Sequence, residues 1–169
     1  MLLGTGTPSP LVHRAGSSYL VNIAGQNLLF DCGPASVRRL LEAGLSPVDV
    51  DRLFLTHLHY DHFVDYGYLT LTRWDQGVGK IPELQVCGPA PITAMTRRLF
   101  GEDGVYGPDL AARTQHPGSH FIYEKRGGTL PRKPPLPETS EVGDGDLIEG
   151  DGWSVQVAEV MHCQPQIIC

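Results

Sequence analysis

Three histidines and an aspartate fall within six residues at His57-Leu58-His59-Tyr60-Asp61-His62, directly after the apolar run Leu53-Phe54-Leu55. The segment from Arg52 to Thr56 is too continuously apolar for a half-exposed strand and reads as a short strand covered on both faces. Such a chain must bury a strand and present a histidine cluster where that strand ends. Side chains alternate along an extended segment, so His57 and His59 point the same way and can hold one metal ion through neutral imidazole nitrogens. If a helix starts next, Asp61 and His62 face a second position beside the first. The gap between a strand end and a helix is also where functional groups gather in layered α/β domains.

The flanking segments supply such layers. Met1-Leu2-Leu3 is a short strand stopped by the loop Gly4 to Pro10. Ser17 to Ile23 and Asn27 to Asp31, separated by Ala24-Gly25-Gln26, form an antiparallel hairpin. Ala35 to Ala43 is a helix with Val37, Leu40 and Leu41 on one face, ended by Gly44. Ser46-Pro47 caps one short turn. Helices follow over Val64 to Trp74, Ile92 to Phe100 and Leu110 to Gln115, with a strand at Leu84 to Cys87. His116 to His120, containing Pro117 and Gly118, reads as a surface loop. The four prolines between Pro131 and Pro137 mark an extended connection. Glu138 to Val142, Asp146 to Glu149 and Trp153 to Val160 are β segments, the last with Trp153, Val155 and Val157 alternating against polar neighbours. Strands with helices between them, then further strands, give a layered α/β or α+β domain.

A chain of 169 residues can bury a core without disulfides, and 41% hydrophobic against 19% charged residues is an ordinary globular balance. The four cysteines, Cys32, Cys87, Cys163 and Cys169, form no CxxC pair and read as free buried thiols. No apolar run is long enough for a membrane span and no signal-like segment opens the chain, so the expectation is a soluble, cytoplasmic protein without a membrane partner. The net charge of −6 argues against a broad nucleic-acid-binding face. Lys125-Arg126 and Arg132-Lys133, which could touch a polyanion, read as a solvated connection.

The cluster matches H-x-H-x-D-H and so resembles the metallo-β-lactamase-fold hydrolase superfamily, a group of mostly dinuclear zinc enzymes. Leu3-Gly4-Thr5-Gly6-Thr7-Pro8 resembles the opening of its ribonuclease Z and arylsulfatase-like branches. Phe30-Asp31-Cys32-Gly33 matches their second strand motif, and Val86-Cys87-Gly88-Pro89 resembles the strand after the metal-site helix. Val160-Met161-His162 lies where the family supplies its next histidine. The resemblance implies an αββα sandwich, with residues 1–169 as one domain that supplies the N-terminal half and the first strands of the second half. It also implies that this domain is incomplete at its C-terminus, because a bridging aspartate and a final histidine should follow His162 and the sequence stops at Cys169. A second copy or a complementary C-terminal half would then supply them. His116 and His120 are substitutes by residue type only.

Carried over residue by residue, the resemblance gives His57, His59 and His162 as ligands of a first metal, with Asp61 and His62 at a second. Asp61 doubles as general base or orienter of water, and Asp31 is a carboxylate that orients the ligating imidazoles. Imidazole with carboxylate suits zinc, one ion or two, and admits iron or manganese. His13, in the Gly/Pro loop, is a candidate on the substrate side, and Cys163 should point away from His162.

The chemistry implied is hydrolysis by metal-bound hydroxide. Pro34-Ala35-Ser36-Val37 and Phe63-Val64-Asp65-Tyr66-Gly67 depart from the pattern of the tRNA-processing branch. Together with the acidic charge, this favours a small phosphate, sulfate or related ester as substrate and disfavours nucleic acid. The alternatives are a ribonuclease Z-like endonuclease acting on tRNA 3′ ends, and a catalytically silent metal-binding half-domain that needs a complement.

Overall fold

A computed structural model describes residues 1–162 and the backbone of residues 165–168. Strands β1 (Leu2–Gly4), β2 (Ser18–Ile23) and β3 (Gln26–Phe30) run antiparallel, and β3 then pairs in parallel with β4 (Arg52–Phe54). Strands β5 (Gln85–Gly88) and β6 (Glu138–Glu141) extend the parallel part, giving a six-stranded mixed sheet in the order β1-β2-β3-β4-β5-β6. The parallel pairings require crossovers. They run through α1 (Ser36–Glu42), then α2 (Tyr60–Phe63) and α3 (Tyr66–Gly77), and finally α4 (Ile92–Phe100), α5 (Gly107–Gln115) and α6 (Pro117–Lys125). This is the expected α/β class. Among the described residues, no helix is long and apolar enough to cross a membrane.

The register explains the unbroken apolar run at Leu53-Phe54-Leu55. Leu29, Leu53 and Val86 lie side by side across β3, β4 and β5 and face the helices, where they pack with Val37, Leu40, Tyr66, Leu69, Ile92 and Phe100. One residue along each strand, Phe30, Phe54 and Cys87 form the next row and face the other way. There the hairpin of β7 (Leu147–Gly150) and β8 (Trp153–Gln156) covers them. The Phe30 and Phe54 rings stack with centroids 4.9 Å apart, Trp153 meets Phe54 edge-on at 6.1 Å, and the Trp153 indole donates to Gln26. Both faces of β4 are thereby buried, and alternation gives way to continuous apolarity.

Several local expectations change. Leu41 is exposed, and the buried residues of α1 are Ser36, Val37 and Leu40. The segment Trp153 to Val160 is two strands, because the Val157 amide donates to Asp146 and the chain then leaves β7. The second strand, β9 (Ala158–Met161), pairs with β10 (Pro165–Ile168). The His116 to His120 segment is helical: His116 caps α6 through Nδ1, which accepts from the Gly118 amide, and Pro117 takes the first helical position.

Arg132 is buried, stacks over Trp74 and donates to Asp75 at 2.7 Å, while Arg126 donates to the Asp75 carbonyl at 2.8 Å. Arg132 clamps the proline-rich connection onto α3 and Arg126 ties the end of α6 to it, so the solvated reading fails for them. Cys32 and Cys87 are free and buried; Cys163 and Cys169 lie outside the described residues. Burial pushes both described thiols up, beyond easy ionisation.

The assignment of the α1 face is testable by urea denaturation. Leu40→Ala should cost about 2–5 kcal/mol, whereas Leu41→Ala should stay within about 0.5 kcal/mol. Equal losses would place both side chains in the core.

Candidate metal centre

The cluster hangs from the ends of β3 and β4. Beyond β3 the backbone turns at Asp31, whose φ of 60° is a left-handed conformation that few residues other than glycine tolerate. The turn is fixed by the Asp31 amide donating to the Phe54 carbonyl and the Cys32 amide donating to the His62 carbonyl. At Gly33, a Cβ would collide with the carbonyl of Asp61. The Asp-Cys-Gly sequence is therefore the shape that lets the β3 end lie against the histidine segment.

The Asp31 carboxylate is buried and has four donors. Oδ1 accepts from the Thr56 amide at 2.9 Å, and the Thr56 hydroxyl lies 2.9 Å from both oxygens. Oδ2 accepts from Ser17 at 3.2 Å and from His62 Nδ1 at 2.6 Å. These contacts determine where the ring protons sit. The Thr56 hydroxyl has one proton and gives it to Asp31, so it must accept from His57 Nδ1, 3.0 Å away. That leaves His57 Nε2 with a bare lone pair. His62 donates to Asp31 from Nδ1, so Nε2 is the nitrogen that can ligate once the ring is neutral.

The possible ligand nitrogens converge. His57 Nε2 lies 3.1 Å from His59 Nδ1. The ligand atoms of His57, His59 and His162 all lie within 4.8 Å of one another. A tetrahedral zinc site with arms of about 2.0–2.1 Å has nitrogens about 3.3 Å apart, so the trio is near closure around an ion. Asp61 and His62 sit next to it: the His57 and His62 ring centroids are 3.9 Å apart, and His62 Nε2 is 3.6 Å from Asp61 Oδ2. Asp61 Oδ1 is buried without a hydrogen-bond partner among the described residues. A buried carboxylate oxygen with no donor is costly unless a cation completes it, so the donor set fits a metal.

The electrostatics agree with that fit. Burial lowers the His57 imidazole to about 4, with His62 adding to the effect, Asp31 opposing it, and His59 and His162 lowering it slightly further. His57 is therefore neutral and able to ligate throughout the physiological range. For His62, burial disfavours the charge, but the hydrogen bond and charge of Asp31, with Asp61, outweigh it and hold the ring above its ordinary 6.5. A cation bound at His62 must therefore displace a proton.

Of the residues singled out in the sequence, Asp31, His57, His59, Asp61, His62 and His162 come together. His116 and His120 do not: the first caps α6 and the second bonds the Thr114 carbonyl at 2.7 Å. His13 is an exposed loop residue outside the cluster. Thr56 and Ser17 were not anticipated. The position of Thr56, between the buried strand and the first histidine, was the available signal.

Residues 11–166 match the model of the metallo-beta-lactamase superfamily, and the chain belongs to that family. Within it, the chain is 37% identical over 161 residues to the ribonuclease Z of Mycobacterium sp. (strain KMS), an alignment covering 95% of this chain and 52% of the relative. The chain thus spans about half the length of the curated relatives it matches. Among solved structures, human tRNase Z, short form, superposes with a TM-score of 0.65 at 22% identity, covering 98% of this chain and 61% of that one. A metallo-beta-lactamase fold protein of Bacillus subtilis gives the same TM-score at 16% identity, covering 98% and 54%. At these identities the structural likeness is one of fold.

The expected hydrolase superfamily stands. The preference for a small ester over nucleic acid does not, because the curated relatives are named for cleaving RNA. The net charge of −6 is a sum over the whole surface and does not describe the field at one cleft.

The role of Asp31 can be read by NMR on the metal-free protein. In Asp31→Asn, the charge of Asp31 is lost while burial and the charge of Asp61 remain, and the His62 imidazole should titrate at lower pH than in the parent. An unchanged His62 midpoint would contradict the pairing.

Proposed function

We propose that the protein is a metal-dependent RNA phosphodiesterase of the ribonuclease Z kind, acting at the 3′ ends of precursor tRNA. The observation that carries this reading is the convergence of the His57, His59 and His162 ligand nitrogens beside an Asp61 oxygen without a hydrogen-bond partner among the described residues, in a chain 37% identical over 161 residues to a ribonuclease Z. His57, His59 and His162 hold the first ion, zinc being the best match to three neutral imidazoles, and Asp61 and His62 contribute to a second position. When bound, the cation supplies Lewis-acid polarisation of the scissile phosphate and lowers the pKa of water.

The protein's own groups do the rest. Asp31 and Thr56 fix the His57 and His62 tautomers, so ligation needs no rearrangement of those rings. Asp61, whose Oδ1 has no other partner among the described residues, orients the attacking water and can accept its proton. The sheet behind them, with Leu53, Phe54 and Leu55 fully buried, gives the loop a rigid base.

The test is cleavage of a 3′-extended precursor tRNA by the protein loaded with zinc. Cleavage should be abolished by chelation and reduced to background by His59→Ala. A zinc-loaded protein that leaves the RNA intact, or a His59→Ala variant as active as the parent, would overturn the reading. A milder variant, Thr56→Val, should lower metal affinity by about 10–100-fold while keeping the fold.

A further inference from the structure

Beside the metal centre lies a cleft of about 430 Å³ that the chemistry above does not use. One wall is the loop after β1, with Pro8, Pro10 and Arg14; the other is Pro34 and Arg38 at the start of α1, and Tyr60 closes it. Tyr60 is the residue between His59 and Asp61, so its Cα is about 3.8 Å from that of each neighbour. The residue is 59% exposed, and its hydroxyl makes one long contact, 3.4 Å to the Pro8 carbonyl. A large aromatic ring left open inside a histidine motif contributes little to the core.

The cleft is tied rigidly to the metal loop. The Gly16 amide donates to the Pro34 carbonyl at 2.9 Å and the Gly33 amide to the Ser17 carbonyl at 3.0 Å. A Cβ at Gly16 would strike Pro34 and press on the Asp61 carbonyl. Whatever fills the cleft is therefore held in fixed register with Asp61. Its charge is also biased. Arg14 is exposed, and Arg38 is mostly exposed with only Glu42 beside it on α1. Among the described residues, no carboxylate lines the cleft. An accessible ring flanked by two guanidiniums is the chemistry that receives an unstacked base with its phosphates, the usual mode of single-stranded RNA recognition.

We propose that this cleft binds the nucleotide next to the scissile phosphate, with Tyr60 as a stacking platform for the base and Arg14 and Arg38 beside the backbone. The inference rests on the RNA reading above and adds a residue that determines specificity, Tyr60, inside the metal motif.

The experiment measures equilibrium binding of a fluorescent single-stranded RNA spanning a precursor tRNA 3′ end to the full chain. A matched RNA carries abasic nucleotides on both sides of the cleavage point. Tyr60→Ala should weaken binding of the intact RNA by roughly tenfold or more and scarcely change binding of the abasic one. Tyr60→Phe, which keeps the ring, should bind like the parent. Arg14→Ala and Arg38→Ala should each flatten the salt dependence by about one unit of slope. Equal losses on both RNAs in Tyr60→Ala, or no loss on either, would overturn the proposal, as would absence of RNA binding. RNA bound through Tyr60 but never cleaved would support the cleft and sink the hydrolase reading alone.

Discussion

The Asp31 carboxylate is the contact on which the rest of the site depends. It takes the Thr56 amide and hydroxyl, the Ser17 hydroxyl and the His62 ring, and through Thr56 it sets the tautomer of His57. It can do so only because β3 and β4 are parallel and in register, with Phe30 opposite Phe54, so that the residues just beyond both strands meet. A slip of one residue would exchange the two faces of β4 and carry Asp31 away from Thr56. Register in the core and protonation in the site are therefore one constraint. The buried charge is tolerated because every neighbour within reach donates to it.

That register is itself maintained by the opposite faces of the sheet. Leu29, Leu53 and Val86 lock to the helices, while Phe30, Phe54 and Cys87 lock to Trp153 and the β7-β8 hairpin. Two apolar layers with different partners leave the central strands no freedom to shift. A rigid strand end is what a metal loop needs, since small displacements of ligands weaken the site.

Much of this was legible in the sequence, for identifiable reasons. The strand before His57 and the alternation of His57 and His59 follow from covalent geometry alone. The orienting role expected of Asp31 came from its place at a strand end before Cys32-Gly33. What was not legible depended on tertiary partners. Leu41 shares an apolar stripe with Leu40 in the sequence, but the core reaches only one of them. Pro117 and Gly118 look like loop residues until His116 is seen capping a helix. Arg132 counts as a surface charge until Trp74, Tyr123 and Asp75 enclose it. The preference for a small ester rested on the departures at Pro34-Ala35-Ser36-Val37 and Phe63-Val64-Asp65-Tyr66-Gly67, with whole-chain charge as a further objection, and a charge sum does not describe the field at one cleft.

The central claim is that imidazoles whose tautomers are fixed by Asp31 hold the ion. Zinc K-edge absorption on the loaded protein and on Asp31→Ala, at equal zinc, tests it most directly. The protein should show imidazole nitrogens at about 2.0–2.1 Å, and the variant should show fewer of them. Identical spectra, or sulfur scattering at about 2.3 Å in the parent protein, would contradict the claim.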